Sequence, residues 1–191
     1  MSGVEAEVIR TERLVLVPQR VEHAREMADV LSDPALHTYI GGAPATADEL
    51  RSRYARMAAG PADPAESWCN WVIRLREGEE DGEGEEGPGQ GPLTGTVQAT
   101  ISPAVPGESG PGSWLVAEIA WVVGSAFQGR GIASEAARGL VGWLVRRPVR
   151  DIAAHVHPEH AASRAVARAA GLEPTDEWHD GEVRWVRRGA R

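Results

Sequence analysis

The sequence predicts an α+β fold within the broad α/β class: a mixed, mostly antiparallel twisted sheet of about six or seven strands with about four flanking helices. Three observations carry that prediction. The apolar spacing switches between a period of two and a period of 3.6, in the order β-α-α-β-β-β-α-β-α-β-β. Three consecutive hairpin-like strands then feed one β-α-β crossover, which makes the sheet mixed. A hydrophobic content of 42% over 191 residues is enough to bury one core, so residues 1–191 read as a single domain.

Each element has a local reason. "RLVLVP" (13–18) is a short strand closed by proline. Ala24, Met27, Ala28 and Leu31 follow helical spacing, and Ser32, Asp33 and Pro34 stop that helix. After the loop "GGAPAT", Thr46 and Glu49 form a capping-box pattern for a helix running to Ala59. "WCNWVIRL" (68–75) and "LTGTVQATI" (93–101) are strands joined as a hairpin. The nearly all-apolar "WLVAEIAWVV" (114–123) predicts a central strand buried on both faces. A helix over 131–146 follows, then the strand "DIAAHVH" and a second helix ending at Gly171. The chain finishes in a hairpin turned by Asp180 and Gly181.

Composition narrows the function. The net charge of −8 is concentrated in "EGEEDGEGEEGPGQG" (77–91), which holds seven acidic side chains and leaves the rest nearly neutral. That tract predicts a disordered, self-repelling loop. The basic stretches "RRPVR" and "RWVRRGAR" are short and lack interleaved aromatics, so nucleic acid is not an expected partner. No run has a membrane-span length, no apolar leader follows Met1, and Cys69 is the lone cysteine; a cytoplasmic protein without membrane association is expected. Seven tryptophans stand against one phenylalanine, and most are expected in the core. Those of the last hairpin also suggest a homodimer surface.

Chemistry concentrates in "FQGRGIAS" (127–134). Gly129 and Gly131 let the backbone take positive φ and let a ligand approach closely. The first amides of the following helix lack partners and carry partial positive charge, which suits a phosphate. Arg130 and Arg138 add charge at the rim. A plain tight turn is the bland alternative. A dinucleotide fold is a rival, since "GRGIAS" fits Gly-x-Gly-x-x-Ser and Asp151 lies 20 residues beyond Gly131. Against it, the third glycine is absent and the motif follows three antiparallel strands.

Glu118 interrupts the apolar run and shares a strand face with Val116, Ala120 and Val122. Burial there would raise its pKa toward that of a general base; the alternative is an ion pair with an arginine of a neighbouring element. Asn70 is a candidate lining residue of an acceptor groove. His155 and His157 share a strand face near His160, but a metal hydrolase would need further acidic ligands, so no metal is expected.

With Gln128 included, the segment 128–133 resembles the Gln/Arg-x-x-Gly-x-Gly/Ala signature of the GNAT superfamily of acetyl-CoA-dependent N-acetyltransferases. "HPEHAASRAVARAAGL" is similar to that family's Asn-x-x-Ser…Gly-Phe helix, with His160 and Leu172 in place of Asn and Phe. "TERLVLVP" and "SDPALHTYIGG" look like the branch acting on ribosomal and other protein N-termini. The resemblance implies a GNAT-like fold and a cofactor site for acetyl-CoA as co-substrate. Main-chain amides of Gly129, Arg130, Gly131, Ile132 and Ala133, with Ser134 adjacent, would meet the pyrophosphate. Trp121, Val122 and Val123 would pair with the pantetheine arm beside a bulge that splays two strands. His160 and Ser163 would lie near the sulfur, and Glu118 would serve as base. The family's tyrosine on the last helix, a general acid, is missing: the only tyrosines are Tyr39 and Tyr54. Ser163, His160 or water would replace it, or no acid is needed. The implied reaction is acetyl transfer to a primary amine, either a protein N-terminus or a small molecule such as an amino sugar, polyamine or amino acid. A non-catalytic acyl-CoA-binding or regulatory module is the alternative.

Overall fold

The computed structural model describes residues 3–76, 91–104 and 114–189. The acidic tract expected as a disordered loop lies outside the described residues apart from Gly91. Two short strands open the fold, β1 (Ile9–Arg10) and β2 (Leu14–Pro18), turned where the Thr11 amide donates to the Leu14 carbonyl. Three helices follow: α1 (Ala24–Val30), α2 (His37–Ile40) and α3 (Ala47–Ala59). Thr46 and Glu49 cap α3 reciprocally, as the sequence predicts. Next come β3 (Ser67–Leu75), β4 (Leu93–Pro103) and β5 (Leu115–Val123), then α4 (Ile132–Leu144), β6 (Val149–Val156) and α5 (Ala161–Ala169). The closing hairpin is β7 (Glu173–His179) and β8 (Glu182–Arg188). Asp180 and Gly181 both have positive φ, the conformation of a type I′ turn.

All eight strands join one sheet in the order β1-β2-β3-β4-β5-β6-β8-β7. Every pairing is antiparallel except β5 with β6, which α4 connects. The expected mixed sheet is present, with β1 and the four-residue α2 added to the predicted elements.

Alternation along the strands divides the molecule into two layers. One sheet face (Leu14, Leu16, Trp71, Val97, Ile119) packs under α4 and α5. Trp71 and Trp143 meet edge to face at 5.1 Å, and Glu7 ties both down: its carbonyl accepts from Trp71 Nε1 and its carboxylate from Trp143 Nε1. The other face buries Val15, Val17 and Val72 under Met27 of α1 and Leu50 and Tyr54 of α3.

One expectation is corrected here. The second helical layer stops at β4, so β5 is buried on one face only: Ala117 and Ile119 are buried while Glu118 and Ala120 are exposed. Of the seven tryptophans, Trp71, Trp143 and Trp185 are buried and Trp121 is partly buried against the same core, whereas Trp68, Trp114 and Trp178 are exposed. Their large amphipathic rings tolerate partial exposure, so residue type alone does not place them.

Candidate active site

The site begins where two parallel strands separate. The pairing of β5 with β6 runs from Leu115 with Val149 to Glu118 with Ala153 and ends there. Beyond it β5 stays bonded to β4 as far as Val123, and β6 stays bonded to β8 as far as Val156. Residues 119–123 therefore present an unpaired backbone edge to a V-shaped gap whose closed end is Glu118. The only irregularity in this pairing lies between Leu115 and Val116, at the far end from the parting, and residues 121–123 pair with β4 without a register shift, so the expected bulge is absent from that pairing.

At the open end of the gap the chain turns into α4. Gly129 and Gly131 have φ of 73° and 76°, the left-handed region that glycine enters without strain. Gly131 is the N-cap, and no side chain caps the helix. The amides of residues 131–134 find no protein acceptor among the described residues, as the first turn of a helix requires. Oriented donors, a helix dipole and an absent Cβ at Gly129 with open space around it make an anion cradle. Gln128 turns inward: its side-chain amide donates to the Val123 carbonyl at 3.1 Å and pins the loop to the strand end. Arg130 and Arg138 are exposed.

The cradle is held from behind by residues that motif reasoning missed. Glu135, buried in the first turn of α4, accepts from the Thr11 hydroxyl at 2.6 Å and the Arg13 amide at 2.8 Å. Its other oxygen takes the Arg13 guanidinium at 2.7–2.8 Å, and that guanidinium also donates to the Arg130 carbonyl. Burial by itself raises the Glu135 pKa, but these bonds together hold it below the usual carboxylate range. An acid on an otherwise apolar helix face was the available signal.

Glu118 departs from expectation. Its side chain is 62% exposed on the open sheet face, so the burial expected of it is absent. Its partner is His155 rather than an arginine, with Nδ1 3.3 Å from Oε1. Both line a shallow hollow with Trp178, His179 and Arg184. Among the described residues no cluster of three or more His, Cys, Asp or Glu is arranged to hold a metal.

His160 and Ser163 come together at the start of α5. His160 is the N-cap, and its Nδ1 accepts the Ser163 amide at 3.2 Å, which leaves the ring hydrogen on Nε2. Burial, reinforced by His157, lowers its pKa and favours the neutral ring. Tyr39 of α2 packs its ring 4.2 Å from His160 and 5.3 Å from His157. A tyrosine thus reaches the N-terminus of α5 from a distant element.

Between α2, α3 and the sheet lies a cavity of about 170 Å³. Val122 forms one wall, next to the unpaired edge of β5; Asn70 lines it, with Gln98, His37, Arg53 and Tyr54. Burial raises the Tyr54 pKa, with Gln19 as a partly offsetting polar neighbour.

A family model described as an acetyltransferase (GNAT) domain matches residues 13–173. A search of curated proteins gives no match. Among solved structures, the chain is similar to a GNAT-family acetyltransferase from Bacillus anthracis, with 19% identity, a TM-score of 0.67, and 95% of this chain and 98% of that one covered. It is similar to RimL, a ribosomal L7/L12 alpha-N-protein acetyltransferase in complex with coenzyme A, at 18% identity, a TM-score of 0.68 and coverages of 96% and 98%. It is also similar to the aminoglycoside acetyltransferase AAC(6')-Ib in complex with coenzyme A, at 19% identity, a TM-score of 0.66 and coverages of 92% and 94%.

Proposed function

The chain belongs to the GNAT acetyltransferase family, and on that premise we propose that it transfers the acetyl group of acetyl-CoA directly to a primary amine. The observation that carries this is the continuity of three features. The unpaired edge of β5 leads from Glu118 to the amides at Gly131, and Val122 forms one wall of the adjoining cavity. Acetyl-CoA would supply an activated acyl group and a thiolate leaving group; the protein supplies position, donors and proton acceptors.

Amides of Gly129, Arg130, Gly131, Ile132, Ala133 and Ser134 would face the pyrophosphate, with Gln128 fixing the loop. Trp121, Val122 and Val123 would bond the pantetheine arm as an added strand, and an amide near Val122 or Val123 would meet the oxyanion. Glu118, directly or through a water, takes the proton that the nitrogen loses after attack, with His155 beside it. His160 would donate a hydrogen bond from Nε2 to the departing thiolate, whose proton comes from solvent; the sequence leaves this position to His160, Ser163 or water. The fixed tautomer favours His160.

Calorimetric titration with acetyl-CoA, with NAD and dephospho-CoA as controls, tests the site. Micromolar binding of acetyl-CoA is expected; no binding by the folded protein removes the proposal. Binding without thiol release across an amine panel would instead favour the non-catalytic acyl-CoA-binding module. Glu118→Gln should lower turnover roughly 100-fold with acetyl-CoA affinity unchanged. Unchanged turnover would take the proton-accepting role away from Glu118.

A further inference from the structure

The last bonded pair between β5 and β6 is Glu118 with Ala153, and the strands part beyond it. Along β6, Ile152, Ala154 and Val156 enter the core beneath α4 and α5. By alternation Ala153 and His155 belong to the open face that carries Glu118. His155 therefore stands on the β6 arm of the gap, just past the parting, and its ring reaches back over the closed end to the β5 arm. Nδ1 lies 3.3 Å from Glu118 Oε1. An ionised carboxylate only accepts, so Nδ1 carries the ring hydrogen whenever Glu118 is charged. No protein group among the described residues bonds Glu118 Oε2.

The two side chains differ in freedom. That of Glu118 is 62% exposed, and that of His155 only 18%. A glutamate so open samples several rotamers, and its carboxylate would point into the gap for only part of the time. The His155 ring is flanked instead, 5.5 Å from the His179 ring of β7 and opposite Arg184 of β8. The other charges around it pair among themselves. Arg184 donates to Glu177 of β7 at 2.8 Å, and the Asp180 carboxylate stands 3.4 Å from His179 Nε2. On its own stretch of chain Asp151 precedes it and His157 follows. Glu118 is the anion in direct contact with the ring.

Resting on the acetyl-transfer reading above, we propose that His155 is the positioning residue of the proton acceptor. Its Nδ1–H holds Glu118 Oε1 at the closed end of the gap, so that Oε2 faces the attacking nitrogen, and a proton gained at Nε2 turns the acceptor off. With a neutral ring the carboxylate keeps its charge and its basicity. Once Nε2 is protonated, the ring is a full cation against Glu118 and the carboxylate becomes a weaker base. The two groups titrate as one pair, whose acidic step governs turnover. In that turnover the N–H bond of the attacking nitrogen breaks with its electron pair left on nitrogen. The proton joins Oε2 and leaves from there to solvent, while His155 keeps its Nδ1 hydrogen.

The test follows thiol release from acetyl-CoA by the whole chain with alanyl-glycine, kanamycin, spermidine and L-leucinamide. The fastest of these serves for a pH series. His155→Phe removes the donor but keeps a ring. It should lower kcat roughly tenfold, part of the about 10²–10⁴-fold that a placed base supplies, with acetyl-CoA affinity unchanged. His155→Asn can donate from the place of Nδ1 without titrating. It should return kcat to within about threefold of wild type and move the acidic limb of the kcat profile to lower pH, because a carboxylate alone titrates below an imidazole. A merely structural role would not move that limb. In the wild type with ¹⁵N-labelled histidines, the His155 signals, assigned through the backbone, should show the Nδ1–H tautomer above the limb and protonation of Nε2 along it. Unchanged kcat in His155→Phe, an unmoved limb in His155→Asn, or an Nε2–H tautomer in the wild type overturns the proposal. The tautomer needs no variant, so it decides even if His155→Phe does not fold. Thiol release with none of the four amines removes acetyl transfer and this role with it, whereas turnover with an unmoved limb removes only the role of His155.

Discussion

Glu135 joins the glycine loop to the start of the sheet, because its carboxylate accepts from both the Thr11 hydroxyl and the Arg13 amide and guanidinium. Glu135→Gln keeps the shape but turns an amide N–H toward the Arg13 donors. A buried charged acceptor removed in this way should destabilise the protein by about 2–3 kcal/mol, read from the denaturant midpoint. Acetyl-CoA affinity should fall as well, since Arg13 also holds the Arg130 carbonyl. A midpoint moved by less than about 0.5 kcal/mol would show that water replaces the network. Little of this network is legible in the sequence. Arg13 and Glu135 are 122 positions apart, and no spacing rule links them. Gly129 and Gly131 were legible because their requirement is local: backbone conformations that a Cβ would strain. Glu118 misled for the opposite reason, since its burial depends on how far a helical layer extends.

At the scale of an element, α4 separates three roles for glycine. Gly131 begins it at φ 76°, so Gly131→Ala is strained by about 1–2 kcal/mol and brings a Cβ to 3.4 Å from the Arg13 guanidinium. Gly139 lies against the first strands: a Cβ there would stand 2.8 Å from Thr11 Cγ2 and 3.6 Å from Ile9 Cγ2. Gly142 has nothing within 4 Å. The melting temperature should therefore fall for Gly131→Ala and Gly139→Ala and rise for Gly142→Ala, the last by about 0.5–1 kcal/mol of helix propensity. Acetyl-CoA affinity should fall for Gly131→Ala and hold for Gly142→Ala. Three equal melts would mean that propensity alone governs this helix. The helix was read correctly because its apolar face repeats over several turns. In contrast, β1 and α2 span two and four residues, too short for any period to show. The loss matters, because α2 brings both His37 to the cavity and Tyr39 to His160.

Across the whole molecule, topology was legible because each hairpin turn, cap and crossover is a local signal. The asymmetry of the two helical layers was not, because it depends on where α1 and α3 run out over the sheet. That asymmetry leaves one face of β5 open while both ends of the gap are tied to titratable groups, and it gives stability a defined pH dependence. His23 and His160 are pushed below the ordinary imidazole value of 6.5, in both cases chiefly by burial. The unfolded chain then takes up these protons first, so stability declines as pH falls from just above 6.5 through their folded values. Carboxylates act lower down. Glu135 is held below 4.5 by bonds that outweigh its burial, Glu7 by Trp143 and Arg147, Glu49 by Thr46, and Asp33 is held below 3.8 by Ser125 and the Ala35 amide. Their contribution is complete above the unfolded values and disappears as pH falls through the folded ones. Melting temperature followed from pH 8 to pH 3 should thus descend twice, with a shoulder at roughly pH 5 between the imidazole and carboxylate ranges. His23→Gln should shrink the upper descent and leave the lower one intact. A melting temperature that stays level between pH 7 and pH 5 would show that both rings are hydrated enough in the folded state to titrate as they do in the unfolded chain.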